Sequence, residues 1–164
     1  KSREPIDFIY ELQARVYLAM GDADRALETV AKVPEKFRRP YYRWTEADVY
    51  CALEKYDRAT EVLAASAERD QRSRHKGLLR IAKIEYHQGH FEAGALAAAE
   101  ADRFFREKWG NAYGHGLFWQ ALNLCRAGDL QKARALAREL ADHFPWYPKL
   151  NRLLAMTESG DKQP

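Results

Sequence analysis

The residues able to do chemistry are few and scattered. His87 and His90 are spaced like a pair of metal ligands, but a metal site needs a third donor and none lies near them in sequence. They flank Gly89 and read as exposed turn histidines, so neither a metal nor a cofactor is expected. Cys51 and Cys125 are the only cysteines, far apart on segments that both read as helix, and are expected to be two buried thiols rather than a disulfide. The stretch RDQRSRHKG, Arg69 to Gly77, is the most basic in the chain. It reads as a solvated helix end and loop, the alternative being a phosphate or acidic-partner contact. His143 stands near a helix end, where the dipole favours a cation without any catalytic task. The many Asp and Glu residues at helical spacing from Arg and Lys read as surface ion pairs, each worth under ~0.5 kcal/mol. No glycine-rich phosphate loop, Gly-x-Ser-x-Gly elbow or His-Glu-x-x-His helix occurs. The chain is not expected to be an enzyme.

Composition narrows the field further. The 164 residues suit one domain, and 46% hydrophobic with 31% charged residues is ordinary globular usage. A formal net charge of +3 with acidic and basic residues intermixed argues against a nucleic-acid or anionic-membrane surface. No apolar run approaches the ~18 residues of a membrane span, and EAGALAAAEA is interrupted by Glu92 and Glu100. The chain starts at Lys1 without a methionine, so the lack of a visible targeting segment leaves cytoplasm and periplasm equally open.

What positions these residues is a repeated unit. Ala14 is followed seven residues on by Gly21 and twelve on by Ala26; the same ruler fits Ala47, Glu54 and Ala59, then Ala82, Gly89 and Gly94, then Ala121, Gly128 and Ala133. Helix axes approach to about 8 Å only where side chains at the crossing are small, so each copy predicts a helical hairpin closed by a tight turn. Ala23, Tyr56, Phe91 and Leu130 stand three residues before the second small position as largely apolar plugs. Tyr17 and Tyr50 recur three residues after the first, where the later copies have Glu85 and Leu124. A hairpin of this size cannot bury its own apolar face, and stacking on the next one is the remedy.

Four copies in phase resemble the tetratricopeptide repeat, a unit of roughly 34 residues with small residues at these offsets and a closing proline, here Pro34 and Pro145. The resemblance implies an all-α, right-handed superhelix, a single domain over residues 1–164. Its repeats would fall at about 7–39, 40–73, 75–108 and 114–145, and a terminal capping helix at 146–159. The cap is the fragment WYPKLNRLLAMTESGD, in which Leu153 replaces the small residue and Gly160-Asp161 keeps the register. The joint FFREKWGNAYGHG is longer than the others, and Lys108 to Gly116 is expected to extend a helix and add a loop around Trp109.

In that family the first helix of each hairpin lines a concave groove. Carried over, the ligand-facing positions are Phe8, Glu11, Arg15 and Leu18; Tyr41, Trp44, Asp48 and Cys51; Lys76, Leu79, Lys83 and Tyr86; and His115, Phe118, Leu122 and Cys125. Rings with interspersed charges suit recognition, although any one ring can instead fill space between helices. The carboxylate clamp of chaperone-tail repeats is absent: its sites hold Glu11 and Arg15, Trp44 and Asp48, Leu79 and Lys83. Only Arg15 and Lys83 could attract a carboxylate. The resemblance thus implies a non-catalytic interaction or scaffolding module that holds a protein or extended peptide. Its Ala, Leu and Arg richness leans towards part of a larger bacterial protein or assembly. Two alternatives stand beside it, a periplasmic segment of an exopolysaccharide exporter with polysaccharide as ligand, and the regulatory domain of a signalling enzyme. Direct membrane insertion is not expected, and a homo-oligomer is compatible with the pattern.

Overall fold

The computed structural model describes residues 6–159; the Gly160-Asp161 turn lies outside them. The described residues form helices without a strand: α1 (Ile6–Ala19), α2 (Ala23–Ala31), α3 (Pro40–Ala52), α4 (Tyr56–Arg69), α5 (Arg74–Gln88), α6 (Phe91–Trp109), α7 (Gly114–Ala127), α8 (Leu130–His143) and α9 (Leu150–Ser159). A 3-10 turn, Glu35–Phe37, precedes α3. The chain divides into two compact units, Lys1–Ser73 and Arg74–Pro164.

The small-residue ruler marks helix crossings. Ala14, Ala26, Ala59, Ala82, Ala121 and Ala133 are wholly buried, as in effect is Ala47. Gly94 is buried too, because a Cβ there would overlap the carboxamide of Asn123 on α7. Each hairpin closes in the same way. The residue after the turn donates its N–H five residues back, Asp22 to Tyr17 O, Lys55 to Tyr50 O, His90 to Glu85 O and Asp129 to Leu124 O, at 2.8 to 3.0 Å. This is the Schellman closure, which needs one left-handed residue. Gly21, Gly89 and Gly128 supply it with φ of 77°, 82° and 93°; the second hairpin uses Glu54 at 57°. Ala23, Tyr56, Phe91 and Leu130 then open the second helices.

In the first unit α1 packs on α2 and α3, and α3 on α4. Its core gathers Ala14, Ala26, Val30, Val33, Tyr42 and Val49. The Tyr42 hydroxyl donates to Val30 O at 2.9 Å. In the second unit α5, α6, α7 and α8 pack in sequence, and α9 lies against α7 and α8. Leu150 and Leu153 of α9 join Leu117, Ala121, Ala137 and Leu140. Asn151, Arg152, Ala155 and Glu158 face water, so α9 covers an apolar edge with one side and presents a largely polar other.

Two sequence expectations are corrected. Not all acid–base pairs are surface pairs. Glu46 is 2% exposed, with Arg38 Nη1 on one carboxylate oxygen at 2.7 Å and Arg43 Nη1 on the other at 2.9 Å. Arg38 also donates to Val33 O and Arg43 to Glu35 O, so the cluster ties the 3-10 turn to α3. Asp102, also buried, accepts from Tyr113 N at 2.7 Å and Arg106 Nε at 2.6 Å, and Arg106 reaches Glu139 on α8. Nor is the basic stretch solvated throughout. Asp70 is buried and accepts from the N–H groups of Arg72 and Ser73. His75 is buried among the rings of Phe104, Phe105, Trp109 and Tyr113. At the long joint α6 runs to Trp109, Gly110 caps it with φ of 76°, and α7 starts at Gly114.

Candidate functional site

Each unit brings its own first helices together, α1 with α3 in the first and α5 with α7 in the second. In the first unit Tyr41 Oη donates to Asp7 Oδ2 at 2.9 Å, with Arg39 Nε 3.3 Å from the same oxygen. The Tyr41 pKa is raised, by burial first and then by its bond to Asp7. Glu11 is not a groove residue open to ligand: it is buried, accepts from Thr45 Oγ1 at 2.7 Å, and has Arg15 Nη1 at 3.9 Å. Arg15 and Asp48 are exposed, and Trp44 is half-buried on α3. Phe8 is exposed, as is Leu12 four residues on. Cys51 is half-buried, and burial pushes its thiol to about 11, which favours the protonated thiol at neutral pH.

The second unit assembles a denser surface. Lys76, Arg80 and Lys83 stand at i, i+4 and i+7 on α5 and therefore on one helix face. Lys83 Nζ lies 5.5 Å from the centre of the Trp119 ring on α7, a cation–π distance. Tyr86 meets Trp119 edge-on at 5.6 Å, and Phe118 meets it at 5.9 Å. Phe118 is buried, its ring tilted against Tyr147 at 5.2 Å, and serves as packing beneath this surface. His115 is exposed, and its Nδ1 lies 2.6 Å from the Tyr147 hydroxyl. Partial burial of the ring, and then the charge of Lys83, lower the His115 pKa, which favours a neutral imidazole accepting that hydroxyl proton. Burial and the neighbouring Tyr113 push Tyr147 up to about 12.

Lys76, Lys83, Tyr86 and His115 therefore share one unit, whereas Arg15, Tyr41, Trp44 and Asp48 share the other. Trp119 and Tyr147 were missed by sequence reasoning. Trp119 falls one residue after an expected groove position, and Tyr147 precedes the last helix in a segment without helical period. Their ring-rich company, FWQ after HGL and WYP after HF, was the available signal.

A cleft of about 490 Å³ in the first unit is bordered by Arg38, Arg43, Arg58, Glu35, Glu61 and Asp70. Its cations are largely answered by acids, Arg38 and Arg43 by Glu46 and Arg58 by Glu61. Among the described residues no group of three or more His, Cys, Asp or Glu could hold a metal ion.

Residues 115–145, which cover α7 and α8, match the family described as Tetratricopeptide repeat. Among solved structures the chain resembles one titled MamA AMB-1, at 14% identity with a TM-score of 0.65, over 92% of this chain and 80% of that one. At that identity the likeness bears on the fold alone. No curated protein sequence matches the chain. The matched segment, the four in-phase copies and the likeness in fold together support the tetratricopeptide resemblance, and with it a protein-interaction scaffold of a family that is typically non-catalytic.

Proposed function

We propose that the chain is a docking module whose working surface in the second unit is the face of α5 and α7, and that it holds an acidic, extended protein segment there. The observation that carries this reading is the Lys83 ammonium over Trp119, in line with Lys76 and Arg80 and bordered by Tyr86, His115 and Tyr147. Half-buried rings give a ligand contact area at small cost in side-chain entropy, and the cations select for acidity. Three cations on one helix face favour an acidic segment as the ligand. The α1–α3 face of the first unit, with Arg15, Tyr41, Trp44 and Asp48, is proposed as a second contact surface in its own right. Setting within a larger bacterial assembly belongs to the same proposal.

Binding to an array of extended peptides graded in acidic content tests it. Acidic, ring-containing peptides should bind best. Trp119→Ala should weaken them by at least ~2 kcal/mol, about thirtyfold, with helicity unchanged. Lys83→Glu should lower the association rate and its salt dependence. Equal binding of basic peptides, or unchanged affinity in both variants, would count against this surface.

A further inference from the structure

α1 carries an apolar face that nothing in the described structure covers. Phe8, Leu12 and Val16 of α1, and Met20 just past its end, follow one another at every fourth residue, and Ile9 stands beside them. Their exposures are 57%, 47%, 50%, 70% and, for Ile9, 63%. Every-fourth-residue rows are the ridges by which helices pack into one another. The ridge holds no charge. Asp7 and Glu11 turn away to Tyr41 and Thr45 on α3, and the nearest exposed polar neighbour is Arg15 on the ridge's edge. α9 is built oppositely, for it shows water Asn151, Arg152, Ala155 and Glu158.

We infer that this ridge is the interface of a two-fold homodimer, α1 of one copy packing antiparallel on α1 of another. Pairing of the ridge with the polar face of α9 on another copy would leave Arg152 and Glu158 desolvated without partners, which is costly. A second copy of the ridge is chemically suited to cover it. With the two-fold axis level with Ala14, Leu12 meets the partner's Val16, Phe8 meets the partner's Met20, and Ile9 lies over the partner's small Ala19. Large side chains then face smaller or more flexible ones along the whole contact. Arg15 falls opposite the partner's Gln13, at the wet rim. The five side chains expose on the order of 500 Å² per copy, so the pair buries about 1,000 Å², the lower end for a specific interface.

Sedimentation of the chain from about 1 to 300 µM tests the inference. The expected result is a monomer–dimer equilibrium that high salt leaves intact or tightens. Leu12→Glu and Val16→Lys, both at exposed positions, should each raise the dissociation constant at least tenfold with the same circular dichroism. Mixing those two variants should restore dimer above the level of either alone, because residue 12 faces the partner's residue 16. A monomer at every concentration overturns the inference and assigns the ridge to a different occupant, such as a helix of another chain. So does a dimer that both variants leave unchanged, or a mixture no more dimeric than its parts. Trp119→Ala should leave the equilibrium as it is, which separates this surface from the peptide-binding face.

Discussion

Glu46 shows what a single residue can hide from sequence reading. Its spacing from Arg43 matches an ordinary i, i+3 surface pair, but the second partner, Arg38, comes from outside the helix. A carboxylate that buried is stabilised by its two guanidiniums and not by water, so removing it strands two cations. Glu46→Ala should therefore cost about 3–5 kcal/mol in urea unfolding, whereas Glu61→Ala, at the exposed pair with Arg58, should change stability by less than about 1 kcal/mol. Similar small losses in both would mean that water reaches the Glu46 cluster. Glu11, Asp102 and His75 belong to the same class, because each is a polar residue whose burial depends on a partner from another helix or joint. Charge and local spacing say nothing about such partners, which is why the expected ligand residue Glu11 turned out to be spent on Thr45.

At the scale of the hairpin, legibility was high because one geometry recurs. Two axes must cross at small residues, and the turn must put one residue in the left-handed region; both demands fall on residue type, so both can be read. The recurrent geometry also exposes the copy that departs from it. The first and fourth turns use Gly-Asp, with Asp22 and Asp129 accepting from the N–H groups of Arg25 and Lys132. The second uses Glu54-Lys55, a left-handed residue with a Cβ followed by an N-cap that makes no side-chain bond. Glu54→Gly relieves the backbone and Lys55→Asp caps α4, worth roughly 0.5–1 kcal/mol each. The double variant should thus raise the unfolding free energy by about 1–2 kcal/mol, read from urea or thermal melts. A loss of stability would mean that the long side chains at this turn contribute more than its backbone costs.

Over the whole chain, the order and pairing of helices were legible while the division between Ser73 and Arg74 was not. The repeat ruler treats all joints alike and so does not mark where the chain divides. The ring surface of the second unit was legible only in part, since Tyr147 reaches it from the segment that leads into α9. That segment and α9 together close the apolar side of α7 and α8. Leu153 is 1% exposed and Leu150 6%, Thr157 O accepts from Arg134 Nη2 at 2.8 Å, and Tyr147 lies on Phe118. Removing residues 146–164 would uncover Leu117, Phe118, Ala137 and Leu140 as one contiguous patch, and end repeats stripped of their cap associate through such patches. The truncated chain should elute as larger species or precipitate, and its second unit should melt earlier. Leu153→Ala, which keeps the helix but opens a cavity beneath it, should cost about 2–5 kcal/mol without aggregation. A truncated chain that associates no more than the full chain, at unchanged stability, would show that α9 is an appendage, and that the edge of α7 and α8 is stable in water without it.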